Sequence, residues 1–174
     1  AGVYALMTGM ISAQYGNPYP KSRLEVICPF NNVYMTGDGK YLAMCDPEYD
    51  RDYNKIMGLI GREDLIDEPR LVNCNKMNEA GLNPEVVGIL DEALAKMTAA
   101  EALKLFKDAG IPIELCQTPL DVYEDQNVWD NDYLVKIHYP EADRNIPTVP
   151  IQFESEPAPV FTPTDKLGSS TVAV

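Results

Sequence analysis

The chain has 174 residues, of which 45% are hydrophobic and 24% charged, an ordinary balance for one packed domain or a small domain with part of another. Fourteen Lys and Arg stand against 27 Asp and Glu, a formal net charge of −13, and a field of that sign repels phosphate backbones and anionic headgroups, which argues against nucleic-acid and membrane partners. No apolar run approaches the roughly 20 residues of a membrane-spanning helix, and the opening "AGVYALMTGMISAQY" lacks the basic stretch of a secretory signal, so the sequence reads as cytoplasmic.

From the N-terminus, Tyr4, Ala5, Met7, Met10 and Ile11 make an apolar stripe at helical spacing. That helix begins without a cap, and the chain is read as a piece of a longer protein. "YGNPYPKSR" is a turn-rich connector. "PFNNVYMTGDGKYLAMC" then predicts a hairpin around Gly37-Asp38-Gly39, with Val33, Met35, Tyr41, Ala43 and Cys45 alternating as in half-buried strands. In "CDPEYDRDYNKIMGLIGRED" the residues Tyr53, Ile56, Met57 and Ile60 share a helical face, and Gly61 stops the helix. "LIDEPRLVNCNKMNEAGLN" reads as irregular, with turns near Pro69 and Gly81.

"NPEVVGILDEALAKM" is the clearest helix, with Asn83 as cap, Pro84 in the first turn, and Val86, Val87, Leu90, Leu94 and Met97 on one face. "TAAEALKLFKDAG" sets Thr98 and Glu101 in capping-box register, with Leu103 and Phe106 apolar and Gly110 at the end. "IPIELC" is a short strand. "TPLDVYEDQNVWDNDYL" repeats the cap logic through Thr118, Pro119 and Asp121. "YLVKIHY" and "TVPIQF" are further strands, and the Pro-rich "ESEPAPVFTPTDKLGSS" reads as an extended coat or tail.

Chemistry is sparse in this pattern. Cys28, Cys45, Cys74 and Cys116 form no C-x-x-C pair and His138 is the one histidine, so no metal set is expected. The cysteines are read as reduced and buried. "DPEYDRDY" and "DVYEDQNVWDND" lack the register of a calcium loop and read as solvated helix ends. His138 has no Ser or Cys nucleophile beside it in sequence and reads as structural. A hydrolase built on Cys28 or Cys45 with His138 is the least favoured reading, because no cation is evident to depress either thiol. A P-loop, a dinucleotide fingerprint and G-x-S-x-G are all absent.

The order of the pieces says more than any one of them. "GNPYP…CPFNNVYMTGDGKYLAM", "MGLIGREDLIDEPRL", "LDEALAKMTAAEALKLFKDAGIPIELCQTPLDVYEDQ" and "YLVKIHYPEA", spread from about Gly16 to Gly168, together resemble the family III CoA-transferases of the CaiB/BaiF, formyl-CoA transferase type. The resemblance implies a large Rossmann-like domain, a smaller α+β domain and two chains interlocked as rings. It also implies an aspartate nucleophile in the large domain that forms an acyl anhydride and then an aspartyl-CoA thioester. Coenzyme A thioester is then a substrate, with no permanently bound cofactor. That aspartate and the CoA-binding residues would lie upstream, so no residue here is assigned as catalytic and the chain alone is expected to be inactive. Some members carry a glycine-rich flap that shields the anhydride from water. "RLEVICPFNNVYMT" has no glycine run, and Phe30, Asn31, Asn32 and Tyr34 are the positional candidates for lining a substrate pocket.

The expected fold is α+β. Residues 1–28 are helix and linker from the large domain, and 29–110 a small domain with a β-hairpin or antiparallel sheet packed on helices. Residues 111–174 are a return segment toward the Rossmann-like large domain. The core should include Ile56, Leu90, Leu94, Leu103 and Phe106, and bare apolar faces on the first helix and on "YLVKIHY" should drive association. The expected function is part of a CoA-transferase acting on an acyl-CoA and a small carboxylic acid, with 2-hydroxy acids or their enoyl products as the guess at substrate. The rival is a non-catalytic binding or assembly module of the same fold.

Overall fold

The computed structural model describes Gln14, Gly16, residues 22–148, Ser155, residues 160–165 and residues 167–169. The expected N-terminal helix, most of the connector and all of "TVPIQF" except Thr148 lie outside the described residues. The chain divides into two compact units, Ala1–Cys116 and Gln117–Val174. Among the described residues no helix is long and apolar enough to cross a membrane.

The first unit is α+β. Strands β1 (Asn31–Met35) and β2 (Tyr41–Cys45) form the hairpin, with Val33 opposite Ala43 and Tyr34 opposite Leu42. β3 (Ile113–Leu115) pairs antiparallel on the other edge of β2, giving the order β1-β2-β3. Four helices follow the hairpin or precede β3: α1 (Tyr49–Leu59), α2 (Cys74–Glu79), α3 (Asn83–Leu94) and α4 (Ala99–Asp108). Ile56, Met57, Val86, Val87, Leu90, Leu94 and Phe106 are fully buried, whereas Leu103 is only partly so. Phe30 stacks on Tyr49 with ring centroids 4.4 Å apart, closing the core beneath the start of the hairpin.

The strands are where the sequence puts them, but their faces are reversed. Tyr34, Leu42 and Met44 point into the core, while Val33, Met35, Tyr41 and Cys45 point outward and Ala43 is half-buried. Both faces of the hairpin are apolar, so a period of two announces strands without saying which set is inside. The turn decides it. Gly37 N–H donates to the Met97 carbonyl at 2.8 Å, and the Asp38 carboxylate accepts from Ala99 N–H at 3.0 Å and from the Thr36 hydroxyl at 2.5 Å. A Cβ on Gly37 would sit 2.6 Å from the Ala95 carbonyl oxygen.

Helix caps follow the expected chemistry with one exception. Thr98 and Glu101 close the capping box on α4: the Thr98 hydroxyl accepts from Glu101 N–H and the Glu101 carboxylate accepts from Thr98 N–H at 2.8 Å. At α3, however, Leu82 stands at the cap, and Asn83 is the first helical residue. The Asn83 side chain is buried and donates to the Val26 carbonyl at 2.7 Å, so a tertiary contact outcompetes the local cap. The stretch read as irregular contains a 3-10 turn (Glu63–Leu65) and the short α2, capped by Asn73, whose side-chain oxygen accepts from Lys76 N–H at 3.0 Å. α2 buries only Met77, so it leaves no periodic trace in the sequence.

In the second unit the helix predicted after Thr118 is two, α5 (Pro119–Glu124) and α6 (Gln126–Asp130), broken at Asp125, whose carboxylate caps α6 by accepting from Asn127 N–H at 2.9 Å. Trp129 Nε1 donates back to the Tyr123 carbonyl at 2.8 Å and holds the two together. β4 (Leu134–His138) pairs antiparallel with β5 (Asp143–Pro147), a strand without alternation that the sequence did not announce. β4 does not present the bare apolar face expected of it. Ile137 is buried, Leu134 and Val135 are half-buried, and the exposed positions are Lys136 and His138. Exposed apolar side chains include Leu120, Val122, Tyr123, Tyr133, Val160 and Leu167 in this unit, and Ile27, Val33, Met35 and Tyr41 in the first.

Three expected outcomes test this packing by chemical denaturation. Gly37→Ala should cost about 1–3 kcal/mol, because the new methyl meets backbone that cannot yield. Gly58→Ala, inside α1 with nothing within 4 Å, should instead stabilise by about 0.5–1 kcal/mol. Tyr53 is fully buried, its hydroxyl has no hydrogen-bond partner among the described residues, and burial pushes its pKa up to about 12. Tyr53→Phe should therefore raise stability by about 1 kcal/mol; a loss of that size would show that the hydroxyl is satisfied.

Candidate functional site

Of the four residues nominated for a substrate pocket, three are committed to the fold. Phe30 lies in the core against Tyr49. Tyr34 is 1% exposed, its hydroxyl donates to the Pro29 carbonyl at 2.5 Å, and burial holds its phenol far above the usual value. Asn32 donates through Nδ2 to the Arg23 carbonyl at 3.0 Å and accepts through Oδ1 from Val33 N–H at 2.9 Å. Arg23 packs over the Tyr34 ring at 5.7 Å, donates to the Val33 carbonyl at 3.2 Å and forms an ion pair with Asp91. Only Asn31 reaches solvent, on the outward face of β1.

That outward face is the surface the fold leaves to be used. An antiparallel sheet with one covered face ordinarily shows polar residues to water. Here the pairs Val33–Ala43 and Met35–Tyr41 make it apolar, with Val33 40%, Met35 50% and Tyr41 52% exposed. Beside it runs a groove of about 420 Å³, lined in part by Ala43, Cys45, Lys107, Pro112 and Glu114. Lys107 Nζ lies 2.6 Å from Glu114 Oε1, so the groove's cation and anion neutralise one another. This surface can bind and cover.

The acidic run after β2 is not wholly solvated, contrary to expectation. Asp46 is 1% exposed, its Oδ1 accepts from Glu48 N–H at 3.1 Å, and its Oδ2 is buried without a partner among the described residues. Burial raises its pKa, opposed by the Glu48 N–H. Asp52 is also buried, but Arg51 binds it through Nε at 2.9 Å and Nη2 at 2.5 Å, and Lys55 Nζ lies at 3.2 Å. The Arg51 hydrogen bond holds Asp52 below the usual carboxylate range. These carboxylates are spent on structure.

The thiols also differ from expectation: Cys28 and Cys74 are partly buried, and Cys45 and Cys116 are exposed. Burial raises the pKa of both Cys28 and Cys74, which disfavours the thiolate a nucleophile needs. In the second unit His138 Nδ1 pairs with Asp143 Oδ1 at 2.6 Å on an exposed part of the β4–β5 hairpin. Among the described residues no group of three or more His, Cys, Asp or Glu is placed to hold a metal ion.

Comparison with known proteins adds what the geometry lacks. The sequence profile of CoA-transferase family III matches residues 2–171. Cinnamoyl-CoA:phenyllactate CoA-transferase from Clostridium sporogenes is 32% identical over 178 residues, which cover 100% of this chain and 43% of that protein. (R)-2-Hydroxy-4-methylpentanoate CoA-transferase from Clostridioides difficile is 30% identical over 173 residues, covering 99% of this chain and 43% of that protein. A CaiB/BaiF family protein from Brucella suis superposes with a TM-score of 0.71 at 18% identity, over 95% of this chain and 42% of that one. Rv3272 from Mycobacterium tuberculosis does so with a TM-score of 0.61 at 22% identity, over 90% and 40%. The two structures share the fold. This chain spans less than half the length of the curated relatives it matches.

Asp46 gives a pH test with a definite sign. Its folded pKa lies above the ordinary value, so folding favours the protonated form, and its ionisation costs stability as pH rises above about 4. Stability of Asp46→Asn measured across that range by urea titration should lack this decline, so the variant gains on the native chain with rising pH. Parallel curves would show that Asp46 titrates as an ordinary surface carboxylate.

Proposed function

This chain belongs to CoA-transferase family III, and we propose that it is the smaller part of a cytoplasmic enzyme that moves coenzyme A between small carboxylic acids. Residues 29–110 form the small α+β domain, residues 1–28 lead into it from a Rossmann-like large domain, and residues 111–174 return toward that domain. The working enzyme is an interlocked homodimer. The observation that carries this reading is the match of the family profile to residues 2–171. Two curated relatives at 32% and 30% identity, both named as CoA-transferases, support it.

The chemistry is assigned to an aspartate in the part of the longer protein beyond these residues. Its carboxylate attacks the thioester carbonyl, displaces the CoA thiolate and forms a mixed anhydride. The thiolate then attacks the aspartyl carbonyl, releasing the first acid and leaving an aspartyl-CoA thioester for the second acid to claim. An anhydride hydrolyses readily, so such a site gains from a lid that excludes water. The outward face of the hairpin, with Asn31 beside Val33 and Met35, is the surface this chain offers for that covering role. Phe30, Asn32 and Tyr34 serve it by holding the hairpin in place. The relatives' names place phenyllactate and 2-hydroxy-4-methylpentanoate among their substrates, and 2-hydroxy acids with apolar side chains are the acids proposed here.

The test is CoA transfer from an acyl-CoA to a panel of carboxylic acids, run with this chain and with the longer protein. Transfer to apolar 2-hydroxy acids is expected from the longer protein alone. Activity of the short chain would put the nucleophile within it, and silence from both would favour an assembly module.

A further inference from the structure

We propose that Cys28 and Cys74 form a dithiol site that closes to a disulfide by exchange with a small-molecule disulfide. Cys28 ends the irregular segment that enters β1, and Cys74 opens α2; both pack against the same hydrophobic core. The Cys74 thiol donates to the Ile27 carbonyl at 3.5 Å. A peptide oxygen lies about 2.8 Å from the next Cα, so Cys74 Sγ lies within roughly 6 Å of the Cys28 Cα. Each thiol is also close enough to act on the other's ionisation, and a disulfide between them would span Cα atoms about 4.4–6.8 Å apart.

The two segments are held together before any bond forms. Asn78 Nδ2 donates to the Ile27 carbonyl at 2.7 Å and to the Cys74 carbonyl at 2.8 Å, and it approaches Cys74 Sγ at 3.5 Å. Asn83 Nδ2 holds the neighbouring Val26 carbonyl at 2.7 Å. The Cys28 thiol donates to the Asp46 carbonyl at 3.5 Å, and the nearness of Cys28 partly offsets the burial that raises Cys74. By contrast, Cys45 and Cys116 are exposed.

The exchange balances in two steps. The Cys74 thiolate attacks the reagent disulfide, forming a mixed disulfide and releasing one small thiol. The Cys28 thiolate then displaces the second small thiol from Cys74. The protein thiols together lose two protons and two electrons, and the reagent is reduced to two thiols. Because burial raises both thiol pKa values, closure is faster at higher pH. The product ties the entry of β1 covalently to α2.

The experiment uses the folded chain and an excess of 2-hydroxyethyl disulfide, followed by acid quench, proteolysis and non-reducing peptide mass mapping. The expected result is a Cys28–Cys74 cross-linked peptide without reagent adduct, reversed by dithiothreitol, while Cys45 and Cys116 carry adducts. Cys28→Ser should leave Cys74 with a stable adduct, and Cys74→Ser should do the same to Cys28. In urea the preference for this pair should vanish. Free thiols or separate adducts at Cys28 and Cys74 once Cys45 and Cys116 are fully converted would overturn the proposal, as would cross-links to Cys45 or Cys116. The readout uses no enzymatic activity, so it stands apart from the transferase assignment.

Discussion

The first unit turns on the docking of a hairpin turn against the junction of two helices. Residues at the end of one helix and the start of the next leave backbone groups unpaired, and the Gly37–Asp38 turn supplies partners for two of them, the Met97 carbonyl and the Ala99 amide. The contact joins residues 61 apart in sequence. The Asp38 carboxyl lies below its usual pKa, held there first by the Thr36 hydroxyl and also by Ala99 N–H, so the dock engages an ionised carboxylate. Once the turn is seated, the hairpin cannot slip by a residue. A slip would carry Tyr34, Leu42 and Met44 out to water and bring Val33, Met35 and Tyr41 in.

A second set of contacts fixes chain that has no regular structure. Between the 3-10 turn at Arg23–Glu25 and β1, the carbonyls of Val26 and Ile27 are taken by side-chain amides of Asn78 and Asn83, and the Arg23 carbonyl by Asn32. Backbone polar groups held near a core need partners, and asparagine supplies them where no strand or helix is available. The same contacts bring Cys28 beside Cys74. On the outward side of the sheet Val33, Met35 and Tyr41 remain 40–52% exposed.

Charge is distributed by the same logic. The net charge of −13 suggests a uniformly solvated acidic surface, yet two carboxylates from one short run are buried. Asp52 is tolerated because Arg51 and Lys55 neutralise it, whereas Asp46 has one satisfied oxygen and one orphan. Leaving a buried carboxylate half-paired weakens the fold as it ionises. Both acids are closed to solvent, Asp46 at 1% and Asp52 at 2% exposure.

Much was legible from the order of residues alone. The hairpin at Gly37–Gly39, the helical faces of Ile56, Leu90 and Phe106, the capping boxes at Thr98 and Thr118 and the stops at Gly61 and Gly110 are local patterns, and local patterns survive in sequence. So did the succession of weak motifs that identifies the family. What tertiary structure alone decided is which of two apolar hairpin faces is buried, that Asn83 serves a distant carbonyl rather than its own helix, that Asp46 and Asp52 are inside, and that two cysteines far apart in sequence meet. Each depends on contacts between distant parts of the chain, whose free energies exceed local preference and leave no periodic mark on the residues that make them.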